Sequence, residues 1–193
     1  MNILTIDTAL DTANYAIRTS DKDYVISAPK EAKHSESALK YIDELLQESG
    51  LNIQDIDVFG VNVGPGSFTG IRIGMSLCKG FLACIDKPVV AFTSLDVIGR
   101  GKQGVVVLRA CKDDFYAGDA TTIGADNLRI MTNEEVEQAQ NIIEGQSLDA
   151  KVELDIVEQA YLEGRVSDID TLAPIYLKLS QAERQFKGCN SNG

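Results

Sequence analysis

The chain has 193 residues, of which 44% are hydrophobic, so it can bury one large core or two small ones. It carries 29 acidic and 18 basic residues, a formal net charge of −11. A surface this acidic repels nucleic-acid phosphates, so any RNA would have to be held by another subunit.

The ends and the rare residues exclude several further classes. The N-terminus MNILTIDT has no basic region, and no apolar run approaches the roughly 20 residues of a membrane helix, so a cytoplasmic protein without signal peptide or membrane association is expected. The only histidine is His34, so paired-histidine zinc motifs cannot occur. The cysteines show no metal or redox spacing and are expected to be reduced and mostly buried; they are Cys78, Cys84, Cys111 and Cys189.

The first half of the chain begins with strand signals and then alternates helix and strand. The predicted strands are Asn2 to Asp7, Asn14 to Thr19, Tyr24 to Pro29, Ile56 to Val63 and Pro88 to Phe92. One helix begins after a cap at Ser35 or Ser37 and ends at Ser49, with Gly50 following. A second helix runs from Gly70 to about Ile85.

The second half gives weaker signals. A short helix is predicted over Ser94 to Ile98, and the strands Gly104 to Ala110 and Phe115 to Thr122 form a hairpin. Further predicted elements are helices at Glu134 to Glu144 and Glu153 to Glu163 and an extended segment at Pro174 to Leu179.

An opening antiparallel meander followed by helix, strand, helix and strand predicts a mixed sheet with helices packed against it. This order resembles half of an actin-like or sugar-kinase-like ATPase domain. We expect an N-terminal α/β subdomain at 1–99 and a smaller C-terminal α/β subdomain at 100–193.

The glycine-rich turn Gly64 to Gly70 (GPGSFTG) joins a buried strand to a helix, where backbone amides and the helix end can receive an anion. It is not a phosphate-binding P-loop, because no Gly-Lys-Ser/Thr follows, and it is not a dinucleotide fingerprint, because Thr69 stands where a glycine is required. From spacing alone, a structural turn without a ligand is equally compatible.

The helix after this turn has two apolar stripes. One contains Ile71, Met75, Cys78, Leu82 and Ile85, and the other contains Ile73, Leu77, Phe81 and Cys84 with Gly70 and Gly74. A surface helix normally has one such stripe, so a second covering surface is needed, either from the helix at 37–49 or from a protein partner. Arg72 could bind a carboxylate of the partner or one in the same chain.

The segment Gly64 to Gly74, GPGSFTGIRIG, closely resembles the signature of the TsaB family, also called YeaZ. Other pieces resemble that family in the same order along the chain. They are Ile3 to Thr8, His34-Ser35-Glu36, Asp55 to Asp57, and Pro174 to Lys178 with Ala182-Glu183.

The resemblance implies an actin-like/Hsp70-type (ribonuclease H-like) α/β fold with a mixed sheet, helices and an abbreviated second subdomain. It implies a non-catalytic subunit without its own cofactor or metal, which dimerises with TsaD, works with the ATPase TsaE, and supports addition of threonylcarbamoyl to adenosine 37 of tRNA. The tRNA would be met only through the complex, and a homodimer is expected when TsaD is absent.

In that family two N-terminal helices dock on TsaD, and they correspond to the two helices with broad apolar faces here. The resemblance therefore implies an interface at Leu39, Ile42, Leu46, Ile71, Arg72, Ile73, Met75, Ser76, Leu77, Lys79 and Leu82.

Two alternatives assign an activity to the chain itself. An actin-like ATPase or kinase would bind nucleotide at a loop remnant formed by Asp7, Thr8, Gly64, Gly66, Ser67 and Thr69. Against it, Arg109-Ala110-Cys111 stands where the family has Asp-Ala-Arg, and a guanidinium cannot ligate a metal. The stretch between Gly124 and Pro174 also looks short for a second lobe. A peptidase, suggested by the older label glycoprotease, would need a metal pair or a nucleophile with a base.

Overall fold

The computed structural model describes residues 1–29, 34–122 and 127–177, with the side chains of 34–36 excepted. Within these ranges nine strands form two sheets, accompanied by five α-helices and a short 3₁₀ helix at Ile53–Asp55. The last predicted segment, Pro174 to Leu179, lies outside any strand as far as residue 177, and its remainder lies outside the described residues.

The first sheet has the strand order β3-β2-β1-β4-β5. The opening meander is confirmed, since β1, β2 and β3 pair antiparallel, while β4 and β5 run parallel to β1. The strands are β1 (Ile3–Asp7), β2 (Thr12–Arg18), β3 (Asp23–Pro29), β4 (Val58–Asn62) and β5 (Val89–Phe92).

Both faces of this sheet are covered by helices. Adjacent strand residues point to opposite faces, and Ile3 and Leu4 are both fully buried. The face of Leu4 packs on α1 (His34–Ser49) and α2 (Phe68–Leu82), whereas the face of Ile3 packs on α5 (Ala150–Leu162). A helix of the C-terminal half therefore completes the N-terminal layer, and the division at residue 99 stays a prediction.

The second sheet has the order β8-β7-β6-β9, and two short helices lie against it. Strands β6 and β7 form the predicted hairpin, and β9 pairs parallel to β6. The elements are β6 (Val105–Arg109), β7 (Asp114–Asp119), β8 (Arg129–Thr132), β9 (Ile142–Gly145), α3 (Ser94–Gly99) and α4 (Asn133–Gln138).

Two of the sequence predictions for the second half were wrong. The helix expected over Glu134 to Glu144 ends at Gln138, because Asn141 adopts a positive φ of 55° and Ile142 then enters the sheet as β9. Helix α5 begins at Ala150 rather than Glu153, and Asp149 caps it by accepting a hydrogen bond from the Lys151 amide at 2.9 Å.

Candidate functional site

The glycine turn connects the end of β4 to the start of α2. Ser67 caps the helix, because its hydroxyl oxygen accepts a hydrogen bond from the Gly70 amide at 3.3 Å. The Gly64 amide donates to Oδ1 of Asn62 at 2.8 Å, so the last residue of β4 fixes the entry to the turn.

The turn packs directly on the loop that joins β1 to β2. A Cβ atom at Gly66 would lie 2.4 Å from the backbone oxygen of Ala9, and one at Gly70 would lie 2.0 Å from that of Thr8. Ser67 donates its amide to Ala9 O at 2.7 Å. The glycines are therefore required for close backbone approach within the chain.

Thr8 joins this loop to α2. Its hydroxyl donates to the backbone oxygen of Gly70 at 2.7 Å and accepts from the amide of Gly74 at 3.0 Å. Since the amides of Gly64, Ser67 and Gly70 also bond within the chain, their geometry favours the structural-turn interpretation over a phosphate cradle.

Asp7 is fully buried and faces a second buried acid, Glu153 of α5. Oδ1 of Asp7 accepts from the Ala9 amide at 2.8 Å, and Oε1 of Glu153 accepts from the Asn14 side chain at 2.9 Å. Burial, and then the charge of Asp7, raise the pKa of Glu153 well above its ordinary value. Burial beside Asp7 therefore favours the protonated form of Glu153.

A cleft of about 500 Å³ separates the two sheets and is the place where this architecture could admit a small molecule. Of the six residues of the expected loop remnant, Gly66 and Ser67 line it, while Asp7 and Thr8 are buried. From the second sheet, Arg109 and Glu144 line the cleft, and Nη2 of Arg109 lies 4.0 Å from Oε1 of Glu144.

The outer face of α2 carries an open groove of about 470 Å³ that is largely apolar. It is lined by Phe68, Thr69, Arg72, Ile73, Ser76 and Leu77. The stripe of Ile71, Met75 and Cys78 instead faces the core. The two stripes thus have different roles: one packs on the sheet, and part of the other remains accessible.

The eleven expected interface positions divide by burial. Ile42, Ile71 and Met75 are buried in the core of this chain and cannot reach a partner in this conformation. Leu39 of α1 is 53% exposed, and Arg72 and Ser76 are also exposed. The partly buried positions are Leu46, Ile73, Leu77, Lys79 and Leu82.

The sequence interpretation missed three residues of these sites. Phe68 and Tyr176 stack with ring centroids 4.9 Å apart at the edge of the groove, although 108 positions separate them in the numbering. Glu153 had a signal, because it falls in the buried stripe of α5 with Ala150, Leu154 and Val157. The late start predicted for α5 concealed it.

The cysteines differ in exposure. Cys78 is buried, but Cys84 and Cys111 are exposed, so the expectation of mostly buried thiols was wrong; Cys189 lies outside the described residues. Within the described ranges, no cluster of three or more His, Cys, Asp or Glu side chains is placed to hold a metal ion. No helix there is both long and apolar enough to cross a bilayer. The His34 side chain lies outside the described residues.

A match to a family model shows the family to which this chain belongs. The model of the family described as TsaD, tRNA N6-adenosine threonylcarbamoyltransferase, matches residues 26–182, which is more than half of the chain. The chain belongs to this family. Within that family the chain is similar to curated TsaB relatives, and its fold is that of solved YeaZ structures.

Individual relatives agree with this assignment. TsaB of Bacillus subtilis is 32% identical over 126 residues, covering 61% of this chain and 54% of that protein. A tRNA N6-adenosine threonylcarbamoyltransferase of Kosmotoga olearia is 43% identical over 63 residues, covering 33% of this chain and 19% of that protein. The chain spans about half the length of the curated TsaB relatives it matches.

The fold is confirmed by a solved structure. YeaZ from Pseudomonas aeruginosa superposes with a TM-score of 0.73 at 18% identity, over 91% of this chain and 99% of that one. The expected actin-like α/β fold with mixed sheets and helices is therefore correct.

Proposed function

We propose that this chain is a non-catalytic partner subunit in the biosynthesis of threonylcarbamoyladenosine in tRNA. In this proposal it binds a TsaD-type protein through the outer face of α2 and the adjacent part of α1. The observation that carries the proposal is the open groove of α2. Family membership supports the identity of its occupant, since both TsaB and threonylcarbamoyltransferase relatives match this chain.

The chemistry of the groove supports a protein occupant. Phe68 is 37% exposed and lines the groove together with the partly buried Ile73 and Leu77, and Leu39 of α1 is 53% exposed. Clustered accessible apolar side chains with an arginine are typical of a protein interface, and water contact with them is unfavourable. Burying this face against a partner would supply the cover that the second stripe of α2 needs.

The glycine turn and Asp7 support a role without catalysis by this chain. The turn amides at Gly64, Ser67 and Gly70 are occupied by the chain itself, and Asp7 is buried facing Glu153. The net charge of −11 disfavours direct contact with tRNA, so the TsaD-type partner would hold it. TsaE is proposed as the further subunit, and the same face would form a homodimer when TsaD is absent.

A binding and activity experiment tests the proposal. The chain is titrated calorimetrically with the TsaD-type protein of the same organism, and threonylcarbamoyladenosine formation on tRNA is measured by mass spectrometry with TsaE present. We expect association, and product only when both this chain and the TsaD-type protein are added. No association, or product from this chain without its partner, would overturn the proposal.

A matched pair of variants locates the surface. Ser76→Arg places a long charged side chain in the groove, whereas Ser20→Arg makes the same change at the exposed β2–β3 turn. We expect Ser76→Arg to weaken association about tenfold or more and Ser20→Arg to leave it unchanged. Equal affinities of the two variants would exclude the α2 face.

A further inference from the structure

Arg72 is held in place by two aromatic rings at the edge of the α2 groove. Its guanidinium carbon lies 3.9 Å from the centre of the Phe68 ring and 5.6 Å from that of Tyr176. Its Nε–H donates to the Tyr176 hydroxyl at 2.7 Å. Stacking and this hydrogen bond together restrict a side chain that would otherwise sample many rotamers on the surface.

The segment that carries Tyr176 is itself fixed to the core. The Ile175 amide donates to the backbone oxygen of Val63 at 2.8 Å, beside the glycine turn. The side chains of Ile169, Leu172 and Ile175 pack on the main hydrophobic cluster. The ring of Tyr176 therefore approaches α2 from an anchored position, and it lies at the edge of the groove because it stacks on Phe68, which lines the groove.

Among the residues that the structure describes, Arg72 has no acidic partner, although the protein is strongly acidic. The ion pairs of the described residues use Arg18, Arg109 and Arg165, with a lysine pair in α1, and none of them involves Arg72. Nε is occupied by Tyr176, and within the described part of the chain the two terminal amino groups of the guanidinium remain as donors for another molecule.

We propose that Arg72 is the receptor for a carboxylate on the protein partner, and that Tyr176 is the residue that positions it. The partner presents an aspartate or glutamate surrounded by apolar side chains, which enter the groove beside Ile73 and Leu77. A planar guanidinium binds a carboxylate through two parallel hydrogen bonds, and fixing it beforehand lowers the entropic cost of association. This inference rests on the proposed function and deepens it.

The test measures association and dissociation rates with the TsaD-type protein for Arg72→Gln, Arg72→Lys, Tyr176→Phe and Tyr176→Ala. We expect Arg72→Gln to weaken binding about tenfold or more, mainly through faster dissociation, and Arg72→Lys to restore little, because an ammonium cannot form the fork. Tyr176→Phe, which loses only the hydroxyl, should have a smaller effect than Tyr176→Ala.

A double-mutant cycle separates positioning from simple loss of structure. If Tyr176 acts through Arg72, Tyr176→Ala should weaken binding much less in the Arg72→Gln background than in the wild type. The wild-type affinity should also fall more steeply with salt than that of Arg72→Gln. A thermal melt of each variant excludes unfolding as the cause.

The outcomes distinguish this inference from the function on which it rests. If the wild-type chain does not bind the TsaD-type protein, both are overturned. If the wild type binds and Arg72→Gln binds equally well, or the two losses add independently, only the carboxylate receptor is overturned. It is also overturned if Arg72→Gln leaves the protein complex unchanged but weakens binding of tRNA to the chain.

Discussion

Glu153 faces Asp7, and both carboxyl groups are fully buried between α5 and the first sheet. Asp7 ends the first strand of the fold, and the ATPase alternative assigned it to the nucleotide-binding loop remnant. Its partner instead comes from a helix in the C-terminal half. Burial raises the pKa of both groups.

This pair predicts that the contribution of Glu153 to the free energy of unfolding falls as pH rises. The pKa of Glu153 in the folded chain is above its ordinary value of 4.5, so unfolding releases a proton at any pH between the unfolded and folded pKa values. The stability that the protonated Glu153 contributes is therefore fully present below about pH 4.5 and is lost as pH rises through the folded pKa. Glu153→Gln keeps a hydrogen-bond donor and removes the titration. We expect its stability relative to wild type to increase by about 1–2 kcal/mol between pH 5 and pH 8 in urea unfolding.

The control for this prediction is Glu48→Gln, which makes the same change on the exposed side of α1. Its difference from wild type should stay nearly constant with pH. If the Glu153→Gln and wild-type curves run parallel over this range, the raised pKa of Glu153 is contradicted.

Two glycines of α2 should respond to alanine in opposite directions. At Gly70 the new methyl group would meet the backbone oxygen of Thr8, so we expect a loss of about 1–3 kcal/mol or more. At Gly80 nothing lies within 4 Å, so Gly80→Ala should stabilise the helix by about 0.5–1 kcal/mol. Thermal unfolding measures both, and an equal effect of the two substitutions would show that the turn does not pack on the Thr8 loop.

Arg18 connects the β2–β3 hairpin to α5. Its guanidinium pairs with Asp23 through two hydrogen bonds of 2.8 Å and with Asp155 and Glu158 of α5 at 2.8 Å. We expect Arg18→Gln to cost about 1–3 kcal/mol in urea unfolding, whereas Arg165→Gln, which breaks an exposed pair, should cost less than about 1 kcal/mol.

The Arg18 cluster also predicts acid sensitivity. The hydrogen bond from Arg18 is the main cause that lowers the pKa of Asp23, so this contribution is present at neutral pH and is lost as pH falls through that lowered pKa. Unfolding curves of wild type and Arg18→Gln should therefore converge in acid. A stability difference that stays constant into strong acid would contradict the assignment.

Cys78 and Cys84 should differ in reactivity although six positions separate them. Burial raises the pKa of Cys78 to about 12, so little thiolate forms and reagents cannot reach it, whereas Cys84 is exposed. We expect iodoacetamide to label Cys84 in the native protein and Cys78 only in denaturant, as mapped by peptide mass spectrometry. Equal labelling of both under native conditions would place the inner stripe of α2 at the surface.

The N-terminal sheet and α2 could be predicted from the sequence because their signals are local. Three of the five residues of β1 are apolar and all five are buried, and GPGSFTG carries the turn and the cap in one stretch. The strand β9 could not be predicted, because its two isoleucines become a strand only by pairing with β6.

The functional surfaces were predicted less completely because they depend on contacts between distant parts of the chain. The sequence showed that α2 has two apolar stripes, but it did not show which stripe faces inward. That depends on the packing of Ile71 and Met75 in the main hydrophobic cluster. The hydrogen bond between Arg72 and Tyr176 joins residues 104 positions apart, and nothing local to either residue indicates it.

The place of α5 in the fold has a consequence for synthesis of the protein on the ribosome. The strands of the first sheet are complete once β5 has ended at Phe92, but the helix that covers one face begins only at Ala150. A nascent chain that has not yet reached this helix leaves Ile3, Val58 and Val90 open to solvent or to other chains. Translation must therefore run well into the second half of the message before the first sheet is protected, and chaperones that shield apolar strands would act during that interval.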